Sequence, residues 1–157
     1  MLFVTLKMLK KRLGVEAIEI CCRLGSRRLY FKIPSSLTIP EGCVRIGNWA
    51  FEGCYNLKEV KIPESVERLG YATFKDCKNL GEIKISASVK IIEGSAFKDC
   101  KKLREVVIPG SVEEVWHYVF YGCTDTDIIL RKHKSEFKHL DSTAFEGCRN
   151  VKEEIRN

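Results

Sequence analysis

The sequence predicts an α/β solenoid, a right-handed coil of about five repeats of about 23 residues each. A phrase that reads I-P-E-S-V-E-R-L-G-Y-A-T-F-K-D-C-K-N-L from Ile62 returns along most of the chain. Its cysteine recurs every 23 residues, with 25 before the last copy, at Cys54, Cys77, Cys100, Cys123 and Cys148. A period of roughly 20 to 50 residues is typical of solenoids and arrays.

Four copies of the phrase are clear, and a fifth is looser. The clear copies begin at Ile39, Ile62, Ile85 and Ile108. The fifth keeps part of the pattern, in Phe137, Leu140, Ala144, Phe145, Cys148 and Val151. One repeat cannot fold alone, because about seven inward apolar side chains do not offset the entropy lost in ordering a whole coil. The repeats must therefore stack on one another.

The start of each repeat predicts one short strand. In the second copy Val60 and Ile62 alternate with Lys61, which is the period-two pattern of a half-buried strand. Pro63 follows and removes a backbone donor, so the hydrogen-bond ladder ends there. We expect one such strand per repeat, parallel to its neighbours and about 4.8 Å from them, in a stack roughly 24 Å long.

The rest of each repeat predicts a bend and a short helical turn on the convex side. Gly70 permits a tight bend, and Ala72, Phe74, Cys77 and Leu80 then follow at roughly helical spacing. Equivalent residues should stack into inward columns. These columns are Phe51, Phe74, Phe97, Phe120 and Phe145; Leu57, Leu80 and Leu103; and Ile39, Ile62, Ile85 and Ile108.

The shared pattern I-P-x-x-V-x-x-I-G-x-x-A-F-x-x-C-x-x-L resembles the BspA-type leucine-rich repeat, also known as the Treponema pallidum type. The resemblance covers about residues 29–155. Departures are Ser86 for the proline, Trp116 for the glycine and Thr126 for a leucine, and two extra residues at 131–134 should bulge the last coil. The resemblance implies a curved solenoid that recognises other proteins or host surfaces and has no catalytic chemistry.

The net charge of +6 lies in the first 32 residues. These contain eight lysines and arginines against Glu16 and Glu19, whereas the remainder contains 19 basic and 19 acidic residues. We therefore divide the chain into a basic N-terminal segment, 1–32, and a repeat solenoid, 33–157. An amphipathic helix that caps the first repeat is predicted by Leu2, Leu6, Leu9 and Leu13. The alternative is a helix that lies on a membrane surface.

Six of the eight cysteines occupy repeat positions, with Cys43 at the valine position of the first copy. Cysteine packs as a small buried hydrophobe, so the spacing predicts a ladder of reduced thiols. The adjacent pair Cys21 and Cys22 has poor geometry for chelating one ion. Phosphate-binding and catalytic motifs are missing from the sequence. We expect no cofactor, no metal and no enzymatic activity.

The candidate protein-binding surface combines the outward residues of the strands with the aromatic residues of the fourth copy. Its members are Glu59, Lys61, Glu82, Lys84, Glu105, Val107, Trp116, Tyr118, Tyr121, Ile128 and Leu130. Stacked glutamates repel one another, and the adjoining lysines offset that repulsion. The same alternation also suits a face that is only solvated. Trp and Tyr are favoured contact anchors, so a hot spot is expected on the fourth coil.

These patterns favour a non-catalytic module that presents its repeat surface to another protein of unknown identity. The alternative is an adaptor whose basic segment contacts anionic membrane or nucleic acid, with the repeats as a spacer. Such a contact would weaken steeply with salt. Beyond that alternative we expect no nucleic acid or membrane contact. The C-terminal strand edge offers a place for self-association.

The sequence features point to two different cellular compartments. The start of the chain lacks the pattern of a signal peptide, and no apolar run is long enough to span a bilayer. These features and the reduced cysteines favour the cytoplasm, whereas the family resemblance points to cell surfaces.

Overall fold

Each coil contributes two short strands, where the repeat pattern predicts one. The computed structural model describes residues 35–39 and 41–155. Within them, a parallel β-solenoid is built from β1 Ser36–Thr38, β2 Arg45–Ile46, β3 Glu59–Lys61, β4 Arg68–Leu69, β5 Glu82–Lys84, β6 Ile91–Ile92, β7 Glu105–Ile108, β8 Glu114–Val115, β9 Asp127–Leu130, β10 His139–Leu140 and β11 Asn150–Glu153. We number the coils as one 36–58, two 59–81, three 82–104, four 105–126 and five 127–149.

The strands stack in register from coil to coil. The odd-numbered strands form two three-stranded sheets, β1-β3-β5 and β7-β9-β11. The even-numbered strands form one five-stranded sheet in the order β2-β4-β6-β8-β10. All of these pairings are parallel. An even-numbered strand has only two residues, so no alternation marks it in the sequence.

The third side of each coil consists of turns, and the predicted helical turns do not form there. Backbone amides on this side alternate between two acceptors. In coil two, Phe74 N donates to Ala96 O of the next coil at 2.8 Å, whereas Lys75 N donates to Ala72 O of its own coil at 3.2 Å. Because every second amide is committed to the neighbouring coil, the consecutive i→i−4 bonds of an α-helix are not made. The described helical structure is a 3₁₀ helix at Lys134–Glu136, where the extra residues lie.

In coils one to four, one position of the turn has a positive φ although it is not glycine. It is occupied by Trp49, Ala72, Ser95 and Tyr118, with φ between 52° and 57°. Such values are uncommon for residues with a side chain. The backbone bonds between coils hold them in place, as Trp49 N donates to Tyr71 O at 2.8 Å. Trp49 and Tyr118 are exposed, so this backbone presents aromatic rings to solvent.

The core consists of the columns that the repeat pattern predicts. The rings of Phe51, Phe74, Phe97 and Phe120 stack with centroids 5.2, 5.5 and 5.1 Å apart and with interplanar angles of 12° or less. Phe145 continues the stack at 6.1 Å. The leucine and isoleucine columns are also buried. The aromatic spine therefore runs through all five coils.

The thiols of the repeat cysteines are hydrogen-bonded to the preceding coil. Cys77 Sγ donates to Phe51 O at 3.0 Å, and Cys100 and Cys123 make the same bond to the next two phenylalanine carbonyls at 3.1 Å. These thiols form the column that the repeat spacing predicts, and the described cysteines form no disulfide. Burial raises the pKa of Cys123 to about 12 and that of Cys148 to about 11. This repeat position suits cysteine because it requires a small apolar side chain with one hydrogen-bond donor.

The basic segment 1–32 and its predicted amphipathic cap lie outside the described residues, as does the pair Cys21 and Cys22. Statements about their structure stay predictions. Among the residues that the structure does describe, no helix has the length and apolar character needed to cross a membrane.

Candidate protein-binding surface

The charged face of the first sheet has the geometry expected from the repeats. Glu59 pairs in register with Glu82, and Lys61 with Lys84. Their side chains point away from the buried residues between them. Lys61 Nζ lies 3.4 Å from Glu59 Oε1, so the lysine column offsets the glutamate column. Glu105 continues the acidic column as an exposed residue at the start of β7.

Ile128 and Leu130 do not belong to this face, and their expected outward orientation is wrong. Both are fully buried. Thr126 lies one period of 23 residues after Leu103 and donates from Oγ1 to the Leu103 carbonyl at 2.9 Å. The strand that follows has one residue fewer before it, so Val106 pairs with Ile128, only 22 residues later. Counting by 23 therefore assigns every side chain of β9 to the wrong face.

The outward-facing positions of β7 and β9 are less polar than the equivalent positions of earlier coils. Val107 is half-buried on β7 and pairs with Ile129 of β9, which is 8% exposed. Because Val107 and then Ile129 stand where Lys61 and Lys84 stand in earlier coils, the charge alternation ends at β7. The outward position that the sequence assigned to Ile128 and Leu130 is thus held by Ile129, which is itself buried.

The aromatic residues predicted on coil four are exposed, and the two tyrosines among them are in contact. Trp116, Tyr118 and Tyr121 have exposed fractions of 38%, 40% and 40%. The rings of Tyr118 and Tyr121 meet edge to face with centroids 5.5 Å apart. Trp116 contacts the ring of His139 on coil five at 5.3 Å. Large exposed rings in mutual contact are the feature expected of binding anchors.

The cluster extends into a longer strip that the repeat pattern did not reveal. The ring of Tyr118 meets His117 at 5.9 Å, His117 meets Tyr71 at 6.2 Å, and Tyr71 meets Trp49 at 5.6 Å. We name these four residues with Tyr121 the aromatic strip. It runs from coil one to coil four. Aligning the copies reveals this strip, because Trp49 and Tyr118 share one repeat position and Tyr71 and His117 share the position before it.

The strip is continuous because coil three has no side chain at the corresponding point. Gly94 occupies the repeat position of Tyr71 and His117. A Cβ on Gly94 would lie 2.7 Å from Nε2 of His117, which is too close for a real contact. The missing side chain lets the imidazole lie across coil three and reach Tyr71.

A charged cluster supports the strip from the side of the second sheet. Glu93 Oε1 accepts hydrogen bonds from Arg45 at 3.1 Å and from Arg68 at 2.5 Å. Its other oxygen accepts the backbone amide of Tyr71 at 3.0 Å. The Glu93 side chain is only 13% exposed, so one carboxylate from coil three holds coils one and two in place.

Carboxylates lie next to Trp116 on two elements. The indole Nε1 of Trp116 donates to Glu114 Oε2 at 3.1 Å. On coil five, Asp141 occupies the repeat position that Trp116 holds on coil four. The backbone amide of Asp141 donates to Val115 O at 2.9 Å. Hydrogen bonds from the Thr143 side chain and amide lower the pKa of Asp141, and two nearby histidines lower it further. Asp141 is therefore ionised at neutral pH.

Exposed rings on this surface already accommodate ammonium groups. Lys98 Nζ lies 5.1 Å from the centroid of the Tyr121 ring, and Lys78 Nζ lies 5.8 Å from that of Tyr55. Such contacts contribute about 0.5–1 kcal/mol at exposed sites. Within residues 35–39 and 41–155, no group of three or more His, Cys, Asp or Glu is placed to hold a metal ion.

Solved bacterial structures share this fold. A leucine rich cell surface protein from Faecalibacterium prausnitzii has 27% identity and a TM-score of 0.69, over 78% of this chain and 33% of its own. The leucine-rich repeat protein of T. pallidum has 27% identity and a TM-score of 0.69, over 77% and 59%. One from Bacteroides ovatus has 28% identity and a TM-score of 0.51, over 77% and 38%.

The chain thus spans about one third of the length of the first of these proteins and about three fifths of the length of the second. No curated protein matches it. The family described as the BspA type leucine rich repeat region matches residues 25–152 in six copies. This match covers most of the chain and agrees with the repeat pattern and with the coils. The protein therefore belongs to the BspA-type leucine-rich repeat family.

Proposed function

We propose that the chain is a non-catalytic protein-binding module whose contact surface is the aromatic strip together with Trp116. The observation that carries this proposal is the chain of ring contacts from coil one to coil four, in which Trp49, Tyr118 and Tyr121 are exposed. Tryptophan and tyrosine are enriched among the residues that dominate binding energy at interfaces. The first sheet instead exposes alternating Glu and Lys, which suits contact with water.

The rings of the strip are held before any partner arrives. Alternate backbone amides bond coil to coil, and Glu93 ties Arg45 and Arg68 to the backbone of Tyr71. His117 lies across Gly94. A rigid surface loses little conformational entropy on binding, which raises affinity for a given contact area.

Site-specific photo-crosslinking tests the proposal. A photoreactive phenylalanine at Tyr121 should capture a partner from the native cells, whereas the same residue at Lys84 on the first sheet should not. The captured partner is then produced, and its affinity is measured by calorimetry. We expect the double variant Trp116→Ala/Tyr118→Ala to lose about 100-fold in affinity, as two anchors of about 1–2 kcal/mol each would give.

The matched control is Lys61→Ala/Lys84→Ala on the first sheet, which should bind as the unchanged protein does. The opposite pattern would assign binding to the first sheet. The dependence of the affinity on salt concentration distinguishes this proposal from the alternative of an adaptor that binds through its basic segment. Contact through the basic segment should weaken steeply between low and moderate salt, whereas contact through aromatic anchors should change little.

Self-association through coil five is a second proposal, favoured by the exposure of its core. Residues equivalent to buried ones in earlier coils are only half-buried in coil five and on β11 after it: Leu140, Phe145, Cys148 and Val151. In coil one, by contrast, Ile46 and Phe51 are 2% and 6% exposed. If two copies meet through these same half-buried residues, the contact is self-complementary and joins the two copies into a closed pair.

Light scattering over a range of concentrations tests this contact. We expect a dimer at high concentration and a monomer for Val151→Lys, whose charge would face the second copy. Val44→Lys is the matched control, since Val44 is already 50% exposed on coil one. A protein that stays monomeric throughout, or a Val44 variant that also dissociates, would contradict the proposal.

A further inference from the structure

Trp116 differs from its counterparts in the repeat, and its surroundings define a binding subsite. The same repeat position holds Gly47, Gly70 and Glu93 in the earlier coils and Asp141 in the next. We propose that Trp116, Glu114 and Asp141 form a subsite for an arginine side chain of the partner. This inference rests on the proposed function, because it names the chemistry that the same surface recognises.

The Trp116 ring is exposed and its orientation is restrained. Its indole N–H donates to Glu114, and the ring contacts His139 on one side. An indole that donates to a carboxylate gains electron density, which strengthens its attraction for a cation over the ring. With 38% of the residue exposed, a planar group has room to stack on it.

The charges near Trp116 favour a cation over an anion. Glu114 takes part in none of the ion pairs formed among the described residues, and neither does Asp141. The nearby Lys138 is engaged with Glu113 at 2.6 Å. Glu114 and Asp141 thus bring negative charge close to an exposed indole, and each already accepts a hydrogen bond, Glu114 from the indole and Asp141 from Thr143.

Arginine fits this arrangement better than lysine. A guanidinium is planar and less strongly hydrated than an ammonium, so it stacks on an aromatic face and still donates hydrogen bonds in its own plane. Glu114 lies on β8, and Asp141 lies in the turn after β10, beside Trp116 on the next coil. A guanidinium over Trp116 can therefore donate towards both carboxylates while its face rests on the indole.

Nuclear magnetic resonance provides a direct test, because the chain has two tryptophans and hence two indole N–H signals. Nα-acetyl-arginine amide is titrated into the full chain, and Trp49→Phe assigns the two signals. We expect the Trp116 signal to shift saturably and the Trp49 signal to stay. Lysine amide should bind more weakly. Nα-acetyl-citrulline amide, which has nearly the same shape but no charge, should give no shift.

The variant Glu114→Gln/Asp141→Asn should weaken arginine binding by roughly three- to tenfold, as the loss of exposed charge pairs predicts. Both residues lie at the surface, and the backbone spectrum confirms that the variant is folded. Equal shifts with citrulline, equal shifts at Trp49, or undiminished binding in the variant would each overturn the inference. If arginine fails while Trp116→Ala/Tyr118→Ala still abolishes partner binding, the subsite is wrong and the proposed function stands.

Discussion

The imidazole of His117 lies against Gly94, which holds the same repeat position one coil earlier. A Cβ at Gly94 would come within 2.7 Å of Nε2 and 2.8 Å of Cε1 of His117. The glycine is therefore a contact surface for a ring from the next coil. Through this contact His117 reaches Tyr71 and joins the aromatic residues of coils one and two to those of coil four.

Gly94→Ala should displace His117 from Tyr71. Gly94 is not among the glycines with positive φ, so the substitution imposes no backbone strain and its effect comes from the ring contact. We expect a loss of about 1 kcal/mol, the lower range for overpacking, since the ring can move. Urea denaturation gives the stability, and chemical shifts of Tyr71 report the displacement. In a His117→Ala background the cost should vanish; an equal cost in both backgrounds would show that His117 is not its cause.

Removing a ring from the middle of the aromatic spine should be more costly than removing one at its end. Phe97 is fully buried between Phe74 and Phe120, and its replacement by alanine should destabilise the protein by about 3–5 kcal/mol. Phe145 is half-buried and stacks on one side only, so Phe145→Ala should cost clearly less. Denaturant unfolding of both variants makes the comparison. A silent Phe97→Ala would contradict the spine.

The columns could be predicted because each depends only on the spacing of equivalent residues. Phe74 and Phe97 stack whatever backbone conformation connects them, so the period alone identifies the core. The conformation of the third side depends on hydrogen bonds between coils, such as the one from Phe74 N to Ala96 O. Local spacing does not report such bonds, and the turns therefore resembled helix in the sequence.

The candidate site was predictable only where exposure followed from residue type. Trp116 was found because a tryptophan at a glycine position is conspicuous. Ile128 was misplaced because one residue is missing before an apolar strand, and neither face of Ile-Ile-Leu is polar enough to reveal the register. The contact between His117 and Tyr71 spans two coils and requires Gly94 between them, which no single copy of the repeat displays.

Glu93→Gln should destabilise the protein although it keeps the size of the side chain. The amide can still accept from Tyr71 N, but the charge that attracts Arg45 and Arg68 is lost. Because Glu93 is 13% exposed and both arginines are partly solvated, we expect a loss of about 1–2 kcal/mol. Thermal or urea unfolding measures it, and added salt should narrow the difference from the unchanged protein.

Glu59→Gln is the matched control for that experiment. Glu59 pairs with Lys61 at 3.4 Å, and the lysine side chain is 66% exposed. An exposed pair of this kind contributes little, so the variant should stay within about 0.5 kcal/mol of the unchanged protein. If Glu93→Gln is equally mild, the carboxylate does not hold coils one to three together.

Stability should fall in alkaline solution because the thiol ladder resists ionisation. Burial raises the pKa of Cys123 from 9.0 to about 12, so the folded chain retains a proton that the unfolded chain releases. This contribution is fully present below about pH 9 and is lost as the pH rises towards 12. One such thiol should cost about 1 kcal/mol between pH 9 and pH 10. Urea unfolding in reducing buffer from pH 7.5 to 10.5 measures the slope.

Cys123→Ala separates this thiol from the other titrating groups, which both proteins share. At pH 7.5 the variant should be less stable, because it lacks the bond from Sγ to Phe97 O and leaves a small cavity. Above pH 9 its stability should fall less steeply than that of the unchanged protein, so the two curves converge. Parallel curves would mean that Cys123 ionises as readily in the folded chain as in the unfolded one. The loss of stability in alkaline solution would then come from other titrating groups.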